Sequence, residues 1–388
     1  MILRDITDTI LHRMGDRKVI TLFGARQTGK TTLMKYIASQ FDTQDTPVLW
    51  WNGDEADIRQ LLANATSSQL KNLIGSHRLL IIDEAQRIEN IGLCLKLIVD
   101  QCDQVKVLAT GSSAFELANR INEPLTGRKW EFFLYPLSWR EMTQHHGVIE
   151  ERRLLHHRLV YGYYPDVILN PGDEAALLSQ LADSYLYKDI LTWEHIQKPD
   201  RLERLVQAIA FQLGQQVSYA ELGRMSGLDQ ATVERYISLL EKAFILFRLG
   251  SLSRNLRTEL KKSRKIYFYD NGIRNAIIHN FNPPGLRNDI GALWENFLIC
   301  ERMKCLSAKG IQANRYFWRT QAQQEVDYLE ERDGQFAAWE FKWNPKAKAR
   351  FSRTFMQAYP DCTTEVITPD NFESFLHVPA LDYRAYKA

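Results

Sequence analysis

A glycine-containing loop near the amino terminus has the residue types and spacing needed to bind phosphate. Every fixed position of the pattern G-x-x-x-x-G-K-[ST] is met by Gly24-Ala25-Arg26-Gln27-Thr28-Gly29-Lys30-Thr31, with Thr32 following. The two glycines let the backbone turn tightly, so that successive N–H groups point at one anion. Lys30 is expected to reach the β- and γ-phosphates of a nucleotide, and the Thr31 hydroxyl is expected to bind Mg²⁺.

Two adjacent carboxylates form a second candidate for chemistry. Asp83 and Glu84 directly follow four apolar residues, 79–82, which are typical of a buried strand. At the tip of such a strand, Asp83 is expected to hold Mg²⁺. Glu84 is expected to orient and deprotonate the attacking water as a general base. Together with the loop at 24–32, this pair predicts hydrolysis of a nucleoside triphosphate.

The elements around these residues must bring them to one place. The apolar run Val19–Phe23 predicts a buried strand before the loop, and residues 31–41 predict a helix after it. Alternating strand and helix patterns continue to residue 135, which favours a parallel α/β sheet. Because ligands of such sheets bind at the carboxyl ends of the strands, both candidates are expected at that edge.

Three further polar residues are candidates for the same site. Thr110 and Ser112 follow a predicted strand and are candidates to sense the γ-phosphate, or to cap the next helix, and both roles are compatible. Arg128 precedes another strand. It is a candidate arginine finger, acting in its own chain or on a neighbouring subunit; the alternative is a solvated arginine at a strand start.

Three further segments accompany the loop at 24–32 (Walker A motif) and the Asp83-Glu84 pair (Walker B motif). They are Thr110-Gly111-Ser112-Ser113, Leu125-Thr126-Gly127-Arg128 and Tyr135-Pro136-Leu137-Ser138-Trp139-Arg140-Glu141. Together these motifs resemble those of a prokaryotic AAA-like ATPase family whose members commonly carry a C-terminal domain of unknown function. The resemblance implies a P-loop NTPase core with an AAA/RecA-like parallel sheet over residues 1–141, binding ATP and Mg²⁺. It leaves the biological role open, because family members are described mainly as ATP-binding proteins.

A winged-helix-like domain is predicted at residues 201–280, after a helical connector at 142–200. Ser218 and Glu221 form a capping box, and Asp229 is placed to cap the next helix, as in a helix-turn-helix. The following segment, 248–265, is basic. Its cations are Arg248, Arg254, Arg257, Lys261, Lys262, Arg264 and Lys265. Two interpretations remain open for this segment, DNA binding through phosphate contacts or a docking surface.

The C-terminal region, residues 281–388, contains a predicted hairpin with acidic residues on one face. A two-residue turn at Asp333-Gly334 would pair Arg332 with Gln335, which places Asp327 opposite Glu340. With Lys342, and with Glu295 on a preceding helix, this pattern resembles the PD-(D/E)xK nuclease core, in which carboxylates bind Mg²⁺. It implies a restriction-endonuclease-like α/β domain with a second metal site at Glu295, Asp327 and Glu340. The alternative is a surface hairpin held by a Glu325–Lys342 pair.

The composition is that of an ordinary globular protein. The 388 residues are 45% hydrophobic and 25% charged, and the net charge of +2 gives no indication of a nucleic-acid partner. The five cysteines include no C-x-x-C pair, and no run is long enough to span a membrane, so a cytoplasmic protein with reduced thiols is expected.

Two function classes remain open. One is an ATPase coupled to nucleic-acid processing, in which the C-terminal domain cuts or grips DNA through its own surface or the basic segment. The other is a nucleotide-dependent switch whose C-terminal domain is an inactive protein-binding module. An oligomer is compatible with both, and is required if Arg128 acts on a neighbouring subunit.

Overall fold

The chain divides into two compact units in the computed structural model. Unit 1 comprises Met1–Glu141 with Lys242–Phe244, and unit 2 comprises Met142–Glu241 with Ile245–Ala388. The residues that the structure describes are 1–41, 47–111, 121, 124–183, 199–252, 264–347 and 349–377. Each unit is built around its own sheet.

Unit 1 contains a parallel five-stranded sheet. Its strands are β1 Val19–Phe23, β2 Val48–Asn52, β3 Leu79–Asp83, β4 Lys106–Gly111 and β5 Lys129–Phe133. They are ordered β2-β3-β4-β1-β5, and every neighbouring pair is parallel. β1 and β3 are buried along their whole length, as expected for apolar strands covered on both faces. Because β4 lies between β1 and β3, the carboxyl ends of these three strands meet at one edge.

Helices of unit 1 cover this sheet. They are α1 Thr7–Arg13, α2 Lys30–Ser39, α3 Ala56–Ala63, α4 Ser67–Ile74 and α5 Ile91–Gln101, followed by α6 Trp139–His146, which continues into unit 2. The amino-terminal helix α1 packs on the core, since Ile6, Ile10 and Met14 join a buried cluster with Ile20 and Leu33. The spacing of these three residues gives the helix one apolar face, which explains the packing.

Unit 2 contains a seven-stranded mixed sheet. Its strands are β6 Gln216–Val217, β7 Leu246–Ser251, β8 Arg264–Phe268, β9 Asn314–Arg319, β10 Glu325–Arg332, β11 Gln335–Phe341 and β12 Thr363–Ile367. Their order is β12-β11-β10-β9-β7-β8-β6. β7 pairs with β9 in parallel, Gly250 with Tyr316 and Ser251 with Phe317. The boundary predicted at residue 281 therefore falls between β8 and β9 of one continuous sheet.

The helices of unit 2 include those predicted for residues 201–243. They are α7 Val148–Arg153, α8 Leu155–Tyr161, α9 Pro165–Leu169, α10 Pro199–Phe211, α11 Tyr219–Ser226, α12 Gln230–Lys242, α13 Asn271–Ile277, α14 Ile290–Ala308, α15 Arg353–Ala358 and α16 Phe372–Leu376. The Ser218 side chain accepts a hydrogen bond from the Glu221 N–H, and Asp229 accepts one from the Thr232 N–H at 2.9 Å. These capping interactions explain where α11 and α12 begin.

The hairpin β10–β11 has the register that its turn predicts. Arg332 pairs with Gln335, and the pairing continues back to Tyr328 opposite Trp339. Asp333 has φ 51° and Gly334 has φ 79°, as the two central residues of such a turn require.

Within the described part of the chain, no helix combines the length and apolar character needed to cross a membrane. All five cysteines are free thiols.

Candidate functional site

The loop at residues 24–32, called the phosphate loop below, connects the end of β1 to the start of α2. Gly29 has φ 92°, a left-handed conformation that favours glycine, and α2 begins at the next residue, Lys30. A Cβ atom on Gly24 would lie 2.2 Å from the Leu134 carbonyl oxygen, so only glycine fits there. The loop therefore presents the amino terminus of a ten-residue helix at the carboxyl edge of the sheet, a favourable place for an anion.

Lys30 lies inside the phosphate loop. Its Nζ donates to the carbonyl oxygens of Gly24 at 2.9 Å and Ala25 at 2.7 Å, and the residue is only 6% exposed. The Thr28 hydroxyl also donates to the Ala25 carbonyl, at 2.9 Å. The ammonium group is thus held by backbone oxygens within the loop, where it can stabilise bound phosphates.

Asp83 is linked to the phosphate loop and to β4. The Thr31 hydroxyl donates to Asp83 Oδ2 at 2.8 Å, and the Thr110 hydroxyl donates to Asp83 Oδ1. Oxygen ligands of this kind suit Mg²⁺, so the hydroxyl of Thr31 and the carboxylate of Asp83 fit the cation that the motifs predict. Thr110 is fully buried, so the structure makes it a positioning group for Asp83 rather than a sensor of phosphate.

Glu84 is held by its backbone and by a neighbour that sequence reasoning missed. Its φ of 49° is left-handed, and its N–H donates to Thr110 Oγ1 at 3.0 Å. The Gln86 side chain donates to Glu84 Oε2 at 2.6 Å. Gly53 packs directly beneath, since a Cβ there would lie 2.3 Å from the Glu84 carbonyl oxygen. The unusual conformation of Glu84 is therefore fixed by contacts from β2, β4 and the turn after β3.

Gly53→Ala is expected to lower the ATP turnover number by about 10²-fold, because the added methyl group must displace the backbone of Glu84 and misplace its carboxylate. Steady-state kinetics with ATP measure this effect. Gly285→Ala is the matched control, since a Cβ at that position meets nothing within 4 Å. A wild-type turnover number in Gly53→Ala would mean that this contact does not position Glu84.

Arg4, which sequence reasoning also missed, connects the amino-terminal segment to the phosphate loop. Its guanidinium donates to the carbonyl oxygens of Thr28 at 2.7 Å and Tyr135 at 2.6 Å, and to Glu141 Oε1 at 3.0 Å. Glu141 also accepts from the N–H groups of Asp5 and Ser138, both at 2.9 Å. Arg4 therefore fixes a loop carbonyl to the segment that follows β5.

Arg4→Ala is expected to destabilise unit 1 by about 3–5 kcal/mol, because it leaves the buried carboxylate of Glu141 without a counter-charge. The side chains of Arg4 and Glu141 are only 8% and 6% exposed. Urea unfolding of the full chain measures the loss. Arg17→Ala is the control, since its pair with Asp103 is largely exposed and is expected to contribute little. Equal stabilities of the two variants would contradict a structural role for the Arg4 pair.

Two further residues, Arg128 and Ser112, were predicted for this site. Arg128 lies at the amino end of β5, where its carbonyl accepts from the Val19 N–H at the start of β1. β1 spans about 13 Å from that point to the phosphate loop, at ~3.3 Å per residue. The Arg128 side chain instead bonds Asp100 at 2.8 Å. The structure thus does not place Arg128 at the nucleotide site of its own chain. Ser112 lies outside the described residues.

Unit 2 brings together the residues predicted for the second metal site. Lys342 Nζ lies 2.7 Å from Glu340 Oε2 and 3.6 Å from Asp327 Oδ2. The Phe341 N–H donates to Asp327 Oδ2 at 2.8 Å. Glu295 on α14 contacts Lys265, whose Nζ lies 3.0 Å from Glu295 Oε1. Burial is the main cause that raises the pKa of Glu295, and the charge of Asp327 raises it further. We call the set of four carboxylates and two lysines at this place the carboxylate cluster: Glu295, Glu325, Asp327, Glu340, Lys265 and Lys342.

Lys265 of β8 is the member of the carboxylate cluster that the sequence did not indicate. Its Nζ lies 3.0 Å from Glu295 Oε1 and 2.5 Å from Glu325 Oε1. Glu325 is therefore paired with Lys265, whereas the alternative surface-hairpin interpretation paired it with Lys342. Among the described residues, no group of three or more His, Cys, Asp or Glu is arranged to hold a metal ion. The donor set of the carboxylate cluster does not fit a divalent cation, because Glu295 and Glu325 already share the ammonium group of Lys265.

The basic segment at 248–265 shows three of its cations engaged within unit 2. Arg248 donates to Glu241, and Arg264 donates to the Tyr219 hydroxyl at 2.7 Å. Lys265 is only 1% exposed. Arg248 and Arg264 keep partly exposed side chains, at 24% and 34%. The other four, Arg254, Arg257, Lys261 and Lys262, lie outside the described residues, so the DNA-binding hypothesis now depends on them.

Three family models match successive parts of the chain. Residues 16–143 match an AAA domain, which contains the phosphate loop, Asp83 and Glu84. Residues 152–283 match a domain of unknown function, DUF8612, and residues 290–373 match another, DUF4143. The AAA match supports the AAA-like P-loop core predicted from the motifs. The other two matches name no activity.

Similar proteins are found in Mycobacterium tuberculosis and Haemophilus influenzae. The uncharacterized protein Rv2008c of Mycobacterium tuberculosis is 26% identical over 343 residues, which cover 87% of this chain and 73% of that protein. An uncharacterized protein of Haemophilus influenzae is 25% identical over 285 residues, covering 67% of this chain and 69% of its own length. These similarities extend beyond the AAA-matching region, and they assign no function.

Among solved structures, AMPPCP-bound DnaA from Aquifex aeolicus aligns with 61% of this chain and 86% of its own, at 14% identity and a TM-score of 0.32. The Pif1 helicase from Candida albicans aligns with 47% of this chain and 48% of its own, at 17% identity and a TM-score of 0.27. Such low scores do not establish a shared fold.

Proposed function

We propose that this protein is an ATPase that binds ATP with Mg²⁺ and hydrolyses it at the carboxyl edge of the unit 1 sheet. One observation carries the proposal. The Thr31 hydroxyl after the phosphate loop and the Thr110 hydroxyl at the end of β4 both bond the carboxylate of Asp83, directly before Glu84. Phosphate loop, cation ligands and general base therefore meet at one place, inside the region that matches an AAA domain.

Each residue of this site has a distinct role. The phosphate loop binds the β- and γ-phosphates through its backbone N–H groups and the ammonium of Lys30. Thr31 and Asp83 hold the Mg²⁺, which when bound offsets negative charge on the phosphates. Glu84 orients the attacking water and accepts its proton, and Gln86 restrains the Glu84 carboxylate. Ser112 is proposed as a contact to the γ-phosphate, and Arg128 as a finger that serves a neighbouring subunit.

The experiment is a phosphate-release assay on the full-length chain with ATP, with and without Mg²⁺. Turnover that requires Mg²⁺ supports the proposal. Tight ATP binding without turnover would limit it to nucleotide binding, and the lack of both would contradict it. Repeating the assay with double-stranded and single-stranded DNA separates the two function classes, because only an ATPase coupled to nucleic acid is expected to be stimulated.

For unit 2 we propose a winged-helix-like part followed by a restriction-endonuclease-like part, which acts as a binding module rather than as a nuclease. The hairpin register and the convergence of Asp327, Glu340 and Lys342 support the nuclease-like relationship. The pairing of Glu295 and Glu325 with Lys265, a lysine that the nuclease pattern does not include, argues against cleavage chemistry. Supercoiled DNA incubated with the protein and Mn²⁺ is expected to stay intact. Cleavage that disappears in Asp327→Asn would favour the coupled nuclease instead.

A further inference from the structure

The carboxylate cluster is assembled from two regions that match different family models. Lys265 lies within residues 152–283, whereas Glu295, Glu325, Asp327, Glu340 and Lys342 lie within residues 290–373. The two regions share one continuous sheet, in which β7 and β9 lie between β8, which carries Lys265, and β10, which carries Glu325 and Asp327. The long side chains of Lys265 and Glu325 meet across these two strands. Neither region alone contains all the charges of the cluster.

Burial and ionic contacts hold the Lys265 side chain within the carboxylate cluster. It is 1% exposed, and its Nζ contacts Glu295 and Glu325 and lies 5.4 Å from the centre of the Phe317 ring. Burial lowers the pKa of Lys265, but the charges of Glu295, Asp327 and Glu325 more than reverse this effect and raise it above its ordinary value. Because two carboxylates contact its Nζ, the side chain stays an ammonium ion in this buried site.

Each carboxylate of the cluster already has at least one protein donor. Glu295 Oε1 accepts from the Tyr267 hydroxyl at 2.5 Å as well as from Lys265. Glu325 Oε2 lies 3.5 Å from Arg319, and Asp327 accepts from the Phe341 N–H. Glu340 Oε2 accepts from Lys342 Nζ at 2.7 Å. Protein groups alone therefore bring a positive charge or an N–H group to every carboxylate of the cluster.

We propose that Lys265 is a built-in counter-ion that takes the place of a divalent cation between Glu295 and Glu325, so that this composite site excludes Mg²⁺ and Mn²⁺. A divalent ion placed among these carboxylates would lie beside a fixed ammonium group, and like charges repel strongly where water is excluded. The inference rests on the nuclease-like relationship proposed above for unit 2. It gives the physical reason that such a site would not cleave DNA.

The test measures Mn²⁺ binding to nucleotide-free protein by electron paramagnetic resonance of the free ion. All variants carry Asp83→Asn, which removes a cation ligand of the ATPase site. The background variant is expected to bind no Mn²⁺ in the cluster. Adding Lys265→Met is expected to create one Mn²⁺ site, which binds at least about tenfold more tightly than any residual Mn²⁺ binding of the background variant. Adding Glu295→Gln as well is expected to abolish the new site, and Lys346→Met, at an exposed lysine, is the control expected to create none.

Two results would overturn the proposal. One is a Mn²⁺ site in the background variant that Glu295→Gln removes, because Lys265 would then coexist with the cation. This comparison does not need the Lys265 variant, so it can overturn the proposal even if Lys265→Met fails to fold. The other is a folded Lys265→Met variant, checked by circular dichroism, that gains no site. Neither readout involves ATP, so failure here is separate from failure of the proposed ATPase.

Discussion

Replacing Lys30 with alanine is expected to abolish ATP binding. The Lys30 ammonium is nearly buried and lies within the phosphate loop, 2.7 Å from the Ala25 carbonyl oxygen. A unit charge about 4 Å from a phosphate charge contributes roughly 4 kcal/mol at an effective dielectric constant of ~20, which corresponds to about 10³-fold in the dissociation constant. Titration calorimetry with ATP and Mg²⁺ measures the change directly.

Lys35→Ala is the matched control for this experiment. Lys35 lies on the same helix, α2, but its side chain is exposed and about one and a half turns after Lys30. Its removal is expected to leave the affinity unchanged, which also rules out a general effect of lowering the net charge. Micromolar binding retained by Lys30→Ala would contradict the assignment of residues 24–32 as the phosphate loop.

Glu84→Gln is expected to keep ATP and Mg²⁺ bound while slowing hydrolysis. The amide cannot accept a proton from water, and general-base catalysis typically contributes ~10²–10⁴-fold to a rate. The substitution preserves the size of the side chain, so the left-handed backbone at this residue and the contact with Gly53 are retained. The measurement is a pair of assays, binding by calorimetry and turnover by phosphate release.

Two further variants make the result specific. Asp83→Asn is expected to weaken binding that depends on Mg²⁺, because it removes the carboxylate that Thr31 and Thr110 hold in place. Glu89→Gln, at an exposed position a few residues downstream, is expected to change neither binding nor turnover. If Glu84→Gln hydrolyses ATP at the wild-type rate, another residue is the base.

The features that the sequence predicted well are local. The strand Val19–Phe23 and the helix from Lys30 follow from an apolar run and a glycine loop. The register of β10–β11 follows from the turn Asp333-Gly334 alone, because a two-residue turn fixes every later pair. In each case neighbouring residues contain the information, so no knowledge of the tertiary fold is needed.

The features that the sequence did not predict depend on contacts between distant segments. Arg4 and Glu141 are separated by almost the whole of unit 1, and Lys265 contacts Glu325 although two strands of the sheet lie between β8 and β10. A lone arginine or lysine carries no local signal of such a partner. Arg128 lies at the amino end of β5, beside the start of β1, because the strands of the sheet are parallel. Its place in the order of motifs along the chain therefore did not predict its distance from the nucleotide site.

The sheet of unit 2 also determines how this protein can be divided for experiments. A fragment starting at residue 281 would lack β7 and β8, so β9 would become an unprotected edge strand that invites aggregation. It would also lack Lys265, leaving Glu295 and Glu325 without their shared cation. Expression plasmids should therefore keep residues 142–388 in one reading frame, and recombination between relatives should exchange this span whole.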